Sequence, residues 1–216
     1  METRQNNKSG PGTIRAVNEF VGQRFNAGVW WGLAVAAYAG SRATQLWLDA
    51  SYARSQFPVP FYEGQTTFDA AELKGYYQHM IERGTLDVYL HTQRIDYVFM
   101  ATAAVSLFLL SAAALRTIPK ALRGGWLGRL GRALLWIFPA AAPFDAAENG
   151  VSFVMLADPT GFADWLVYPY SSFAVVKFTL FAGCYLWAIG SIAFAMGSAV
   201  ATGFRWAARR MRVVGG

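Results

Sequence analysis

Charge is scarce in this chain. Asp, Glu, Lys and Arg make up 15% of its 216 residues, where a soluble domain carries about a quarter. Cysteine is nearly missing as well: Cys184 stands alone inside an apolar run. That excludes an intramolecular disulfide, a thiol pair, a cysteine-rich metal site and the paired-cysteine membrane thiol oxidoreductases. The only histidines, His79 and His91, lie outside the apolar blocks, so axial ligation of a membrane-buried haem is not expected. No H-E-x-x-H metal motif and no glycine-rich phosphate loop occurs; neither cofactor nor metal is expected. Residues 1–25 contain Arg4, Lys8, Arg15 and Arg24 and no apolar core, so a cleavable signal peptide is not expected. No repeat, low-complexity tract or second domain is visible.

What is present is apolar surface in long blocks. Hydrophobic residues make up 55% and aromatics 16% of the chain, and the mean hydropathy is +0.26. Four blocks, at 28–50, 94–115, 133–156 and 171–204, each supply the roughly 20 residues needed to cross a bilayer. Helices are expected, because in lipid every backbone group must bond within its own segment. The sequence thus predicts an all-α integral membrane protein, a four-transmembrane-helix bundle forming a single membrane domain over 1–216. Net charge is +6 with a pI near 9.6. The cations sit beside the apolar blocks and read as topology determinants facing anionic lipid, not as a nucleic-acid surface.

Orientation follows from those cations. The tail 1–27, the connection holding Arg116, Lys120, Arg123, Arg129 and Arg132, and the C-terminal Arg205, Arg209, Arg210 and Arg212 are all basic. The connection 157–170 has no Lys or Arg and carries Asp158 and Asp164. The expectation is a bacterial inner membrane protein with both termini cytoplasmic. Segment 51–93 then lies outside. Pro58 and Pro60 make its start extended. Thr66 and Asp69 resemble a capping box, and Leu73, Tyr76, Tyr77, Met80 and Ile81 form one stripe of a helix. Gly84 reads as its stop and Thr85 as the next cap. This predicts an external amphipathic helix between the first two membrane helices. It lies on the membrane surface or across the bundle mouth, as a lid or a plain connector. Gly124 and Gly125 punctuate the inner connection, with Trp126 and Leu127 at the interface. Trp30, Trp31, Trp47, Trp136, Trp165 and Trp187 read as anchors or packing. Gly32, Ala36, Gly40, Gly183, Gly190 and Gly197 would allow close helix approach, or are ordinary membrane-helix composition.

Ionisable side chains at hydrocarbon depth cost about 2.5 to 3.5 kcal/mol each on insertion scales. This chain has several, at matching depths. Counting about 1.5 Å per residue, Glu148 lies about 12 Å below the outer end of the third helix, with Asp145 one turn deeper. Lys177 lies about 9 Å into the fourth helix and Arg42 about 12 Å below the outer end of the first. Asp96 is near the outer end of the second, and Asn149 shares the face of Asp145. Together these predict a buried polar cluster in the outer half of the membrane, with three acids and two bases partly neutralising one another.

Pro143-Phe144-Asp145-Ala146-Ala147-Glu148-Asn149-Gly150 resembles the D-x-x-E-N signature in the third helix of a group of bacterial four-helix membrane proteins of unassigned activity. The resemblance extends to the external segment, to Asp96 at the start of the second helix and to Lys177 early in the fourth. The glycine-arginine-x-x-tyrosine stretch of that group is approximated by Gly84 through Tyr89, without the arginine. It implies the same topology and residues of interest, and no activity.

The function expected from these residues is a site that binds a small polar or anionic ligand, or conducts a proton or solute. Asp145 and Glu148 are its principal groups. Lys177 and Arg42 hold them ionised or bind an anion, and Asp96 serves as gate or relay. The alternative is an accessory subunit whose buried charges only fix helix packing. A further alternative is a membrane-embedded enzyme acting on lipid or peptide, with Asp96 and Asp145 as a carboxylate dyad; the motifs of type II signal peptidases and presenilin-like proteases are missing. A Ser171 or Ser172 nucleophile beside Lys177 is set aside in favour of helix capping by those serines. Partners are the lipid bilayer and no nucleic acid, with homo- or hetero-oligomers open.

Overall fold

The computed structural model describes residues 12–214, with side chains described as far as Gly203. Arg4, Lys8 and the side chains of Arg205, Arg209, Arg210 and Arg212 lie outside the described residues. The described chain is all-helical. Its α-helices are α1 (Gly12–Gln23), α2 (Ala27–Ser55), α3 (Phe61–Gln65), α4 (Ala70–Glu82), α5 (Leu86–Thr117), α6 (Trp126–Ile137), α7 (Ala141–Leu156) and α8 (Val167–Val214). Two stretches, Leu86–Thr117 and Asp164–Gly203, are long and apolar enough to cross a membrane.

Helix ends follow local chemistry. Asn26 caps α2, its side chain accepting the N–H of Val29 at 2.9 Å. α2 runs on past the apolar block to Ser55, because nothing breaks it before Gln56, which turns left-handed (φ 54°). Asp69 caps α4, accepting from Ala71 and Glu72 at 2.8 and 3.1 Å. The expected capping box therefore starts three residues late: Thr66 closes α3 instead. Gly84 (φ +66°) ends α4 in a Schellman arrangement, with Thr85 N–H on Met80 O at 2.9 Å and Gly84 N–H on Ile81 O at 3.0 Å. α5 starts directly after this turn, eight residues before the apolar block. Thr85 occupies its cap position, but its hydroxyl donates to Ser55 O at 2.6 Å and so ties α4 to α2.

The third apolar block is not one helix. It is split into α6 and α7 by a 3-10 turn over Phe138–Ala140, because Pro139 lacks an amide hydrogen and its ring crowds the preceding turn. The serines expected to cap the last helix lie within α8, which begins at Val167. Ser171 is buried, and its hydroxyl accepts the N–H of Phe68 at 3.3 Å. Phe68 sits at φ 52°, so this bond secures a strained turn ahead of α4.

α2 packs along α5, α8 packs on α5 and α7, and α6 packs on α5. α2 and α8 touch at most marginally. Hydroxyl pairs join α2 to α5: Ser51 with Thr92 at 2.6 Å and Thr44 with Thr102 at 2.8 Å. Apolar clusters close both ends. At one end, Leu73, Tyr77 and Met80 of α4 meet Tyr89, Met155, Phe162 and Tyr170. At the other, Val21, Trp30, Ala112, Leu115 and Leu135 pack together. α4 therefore lies across the helix ends, with Tyr76 half-buried and Ile81 exposed. Lys74 Nζ pins it to Asp164 Oδ1 at 2.6 Å.

The glycines differ from expectation. Gly32, Gly40, Gly190 and Gly197 face open space, and only Gly183 is close to a neighbour, the Phe138 ring. Close approaches occur instead in α6, at Gly131, where a Cβ would sit 2.6 Å from Leu115 Cδ1, and at Gly128, against the Arg123 carbonyl, and also at Gly64 of α3 against the Phe57 ring and at Gly161 against the Asp158 carboxyl group.

Candidate functional site

D-x-x-E-N on a helix places its polar residues at i, i+3 and i+4, on one face. α7 accordingly turns Asp145, Glu148 and Asn149 inward together, where each is buried. α5 contributes Asp96 and α8 contributes Lys177, each only 4% exposed. Lys177 Nζ lies 2.7 Å from Asp145 Oδ1 and 2.5 Å from Glu148 Oε2. Asn149 Nδ2 donates to Asp96 Oδ2 at 3.0 Å and to the Gln93 carbonyl at 3.3 Å. Five of the six residues singled out in the sequence thus form one cluster spanning three helices.

Arg42 is the exception. It is exposed on α2 and forms no ion pair among the described residues. One ammonium, not two bases, meets the acids. With Lys177 shared between Asp145 and Glu148, the three carboxyl groups outnumber the one buried cation.

Around this cluster lies a belt of polar groups that the charge pattern does not reveal. Gln93, Ser152, Tyr77, Tyr170 and Gln65 are all buried and carry side-chain atoms without a hydrogen-bond partner among the described residues. Ser152 and Gln93 were legible: Ser152 falls four residues after Glu148, and Gln93 three before Asp96. The tyrosines come from different elements and no spacing rule joins them. On α4, burial pushes the Tyr77 hydroxyl well above the ordinary phenol range, so it faces the belt as a proton donor. On the opposite side of α4, hydrogen bonds from Thr67 and Tyr76 hold Glu72 below the usual carboxyl range.

Beside the cluster, the gap between α2 and α8 encloses a cavity of about 180 Å³. Its floor is Asp96, Asp145 and Lys177, Arg42 and Gln45 stand on the α2 side, and Gln65 of α3 closes one end. Most of the remaining wall is aromatic, with Tyr38, Phe99, Phe178, Phe181 and Tyr185 among its residues. Asp96 uses Oδ2 for Asn149 and Asp145 uses Oδ1 for Lys177. The second oxygen of each carboxyl has no partner among the described residues.

These geometries limit the chemistry. Asp96 and Asp145 bond to different partners, and no hydrogen bond joins them among the described residues as it would in a dyad. Lys177 is held by two carboxylates and bonds to neither Ser171 nor Ser172 among the described residues, so no serine–lysine pair forms there. Among the described residues no three His, Cys, Asp or Glu side chains converge as metal ligands. What the site offers is a carboxylate-rich, aromatic-walled pocket with unused hydrogen-bonding capacity. No family model, curated protein or solved structure matches the chain.

Proposed function

We propose that the chain is a four-span bacterial inner membrane protein whose cavity between α2 and α8 binds a small polar ligand or passes a proton or solute. In this reading α2, α5, the α6–α7 run and α8 cross the bilayer, with the α4 end outside and both termini cytoplasmic. α7 alone is about 24 Å long and needs part of α6 to cross. Val35, Leu46, Leu186, Ile189 and Met196 are each more than 60% exposed. Such surface suits a lipid environment. The D-x-x-E-N resemblance belongs to the same proposal.

The observation that carries the reading is the cavity floor: two buried carboxyl groups, each with one oxygen uncommitted, opening into a space large enough for a ligand. The surplus of carboxyl groups over Lys177 favours a cationic group, or a proton, at that floor. This departs from the anion that the sequence left open. Melting-temperature titrations of the purified protein test it. Ethanolamine or choline should stabilise the wild type and not Asp96→Asn, while acetate should stabilise neither.

A second reading keeps one observation of its own. Lys177 and Asn149 tie α5, α7 and α8 together through buried contacts. If the cluster serves packing alone, as in an accessory subunit, amines will not stabilise the protein. Every loss of a polar partner will then lower stability.

A further inference from the structure

The polar cavity is the smaller part of a longer cleft. Because α2 and α8 both lean on α5 with little contact between them, the gap continues from the α4 end toward the opposite end. Next to the ionic cavity it becomes an apolar groove of about 330 Å³, walled by Trp31, Val35, Leu110 and Ile189. Tyr38 and Tyr185 line both spaces, so the two adjoin at that pair. A compartment with carboxylates thus runs into one with hardly a polar atom, along the helix direction and open to the side.

A ligand that fills both parts must be amphiphilic. At the polar end, the free oxygens of Asp96 and Asp145 suit an ammonium group, with aromatic walls that add cation–π attraction. Arg42 lies on the same cavity without a carboxylate partner, and a guanidinium in that state suits a phosphate. Gln65 Oε1, buried and unpartnered, lines the cavity as a further acceptor for an N–H. We infer that the cleft holds a phospholipid with an amine-bearing head. The ammonium sits on Asp96 and Asp145, the phosphate on Arg42, and an acyl chain lies in the groove past Tyr38 and Tyr185. The inference rests on the proposed reading of the cavity as a ligand site and specifies its ligand.

Equilibrium binding to the full-length protein in detergent tests it, with three probes. These are lysophosphatidylethanolamine, lysophosphatidylglycerol of the same chain length, and phosphoethanolamine, which is the head alone. The amine lipid should bind at least about tenfold more tightly than either of the others, the scale of one charge-assisted contact. Asp96→Asn should remove the preference over the glycerol lipid. Val35→Trp and Ile189→Trp, at exposed positions that tolerate bulk, should weaken the lipids and leave phosphoethanolamine binding unchanged. Equal binding of the two lipids overturns the inference, since the cleft is then unselective lipid-facing surface. Head alone binding as tightly as the lipid also overturns it, yet leaves the cavity a ligand site. Failure of all three probes to bind, with Asp96→Asn strongly destabilised, overturns both.

Discussion

Lys177 on α8 and Glu148 on α7 meet with Nζ 2.5 Å from Oε2, and the same ammonium lies 2.7 Å from Asp145 Oδ1. This three-body contact anchors one side of the cavity floor. Lys177→Met would leave two carboxyl groups buried without their cation. Breaking a buried pair by removing one partner costs about 3 to 5 kcal/mol, so the melting temperature in detergent should fall steeply. Glu148→Gln alone should cost less, because Asp145 still holds the ammonium. The triple variant Lys177→Met, Asp145→Asn, Glu148→Gln should recover most of the loss.

Asn149 is the only side chain bonding to Asp96 among the described residues, and it also donates to the Gln93 carbonyl. Asn149→Ala should therefore destabilise by about 1 to 3 kcal/mol, the cost of leaving buried acceptors unsatisfied. Asn149→Asp should be worse than Asn149→Ala, since it brings a fourth carboxyl beside Asp96. Thermal unfolding of the two variants side by side gives the order.

α4 depends on its ends. Asp69→Ala removes its cap at a cost of about 1 kcal/mol. Gly84→Ala places a Cβ at φ +66° and should cost about the same or more. Hydrogen exchange should speed up across residues 70–82 in both variants and stay unchanged in the centre of α5. Equal loosening of α4 and α5 would show that α4 is not a separable cover.

Topology is open to cysteine labelling because Cys184 is fully buried. Thr160→Cys, at an exposed position of the 157–163 connection, should react with a membrane-impermeant maleimide in intact cells. Gly124→Cys should react only after permeabilisation. The reverse pattern would invert the orientation.

The cluster was legible where spacing and depth carry the information. D-x-x-E-N fixed the inward face of α7, and the depths of Asp96 and Lys177 placed them at the same level. Depth says nothing about rotation, which is why Arg42 matched in height and yet stands on the cavity's α2 side without an acid. Polar residues without charge, such as Gln93 and Ser152, were visible at helical spacing but carried no hydropathy signal. Pro139 was in plain view, though only the packing of α6 against α5 shows that it divides the third block into two helices. Gly131 illustrates the same limit: a glycine permits close approach, and tertiary packing, here against Leu115 and Trp187, decides which glycine uses it.

The most direct test of the central claim, that the acids facing the cavity are kept for a ligand and not for packing, is the unfolding free energy of Asp96→Asn without ligand. The substitution is isosteric, and its amide oxygen can still accept from Asn149. The ligand reading predicts a stability within about 1 kcal/mol of wild type, or above it, because only a group facing the cavity has changed. A loss of about 3 kcal/mol or more, the scale of a broken buried charge network, would contradict it and assign the cluster to packing.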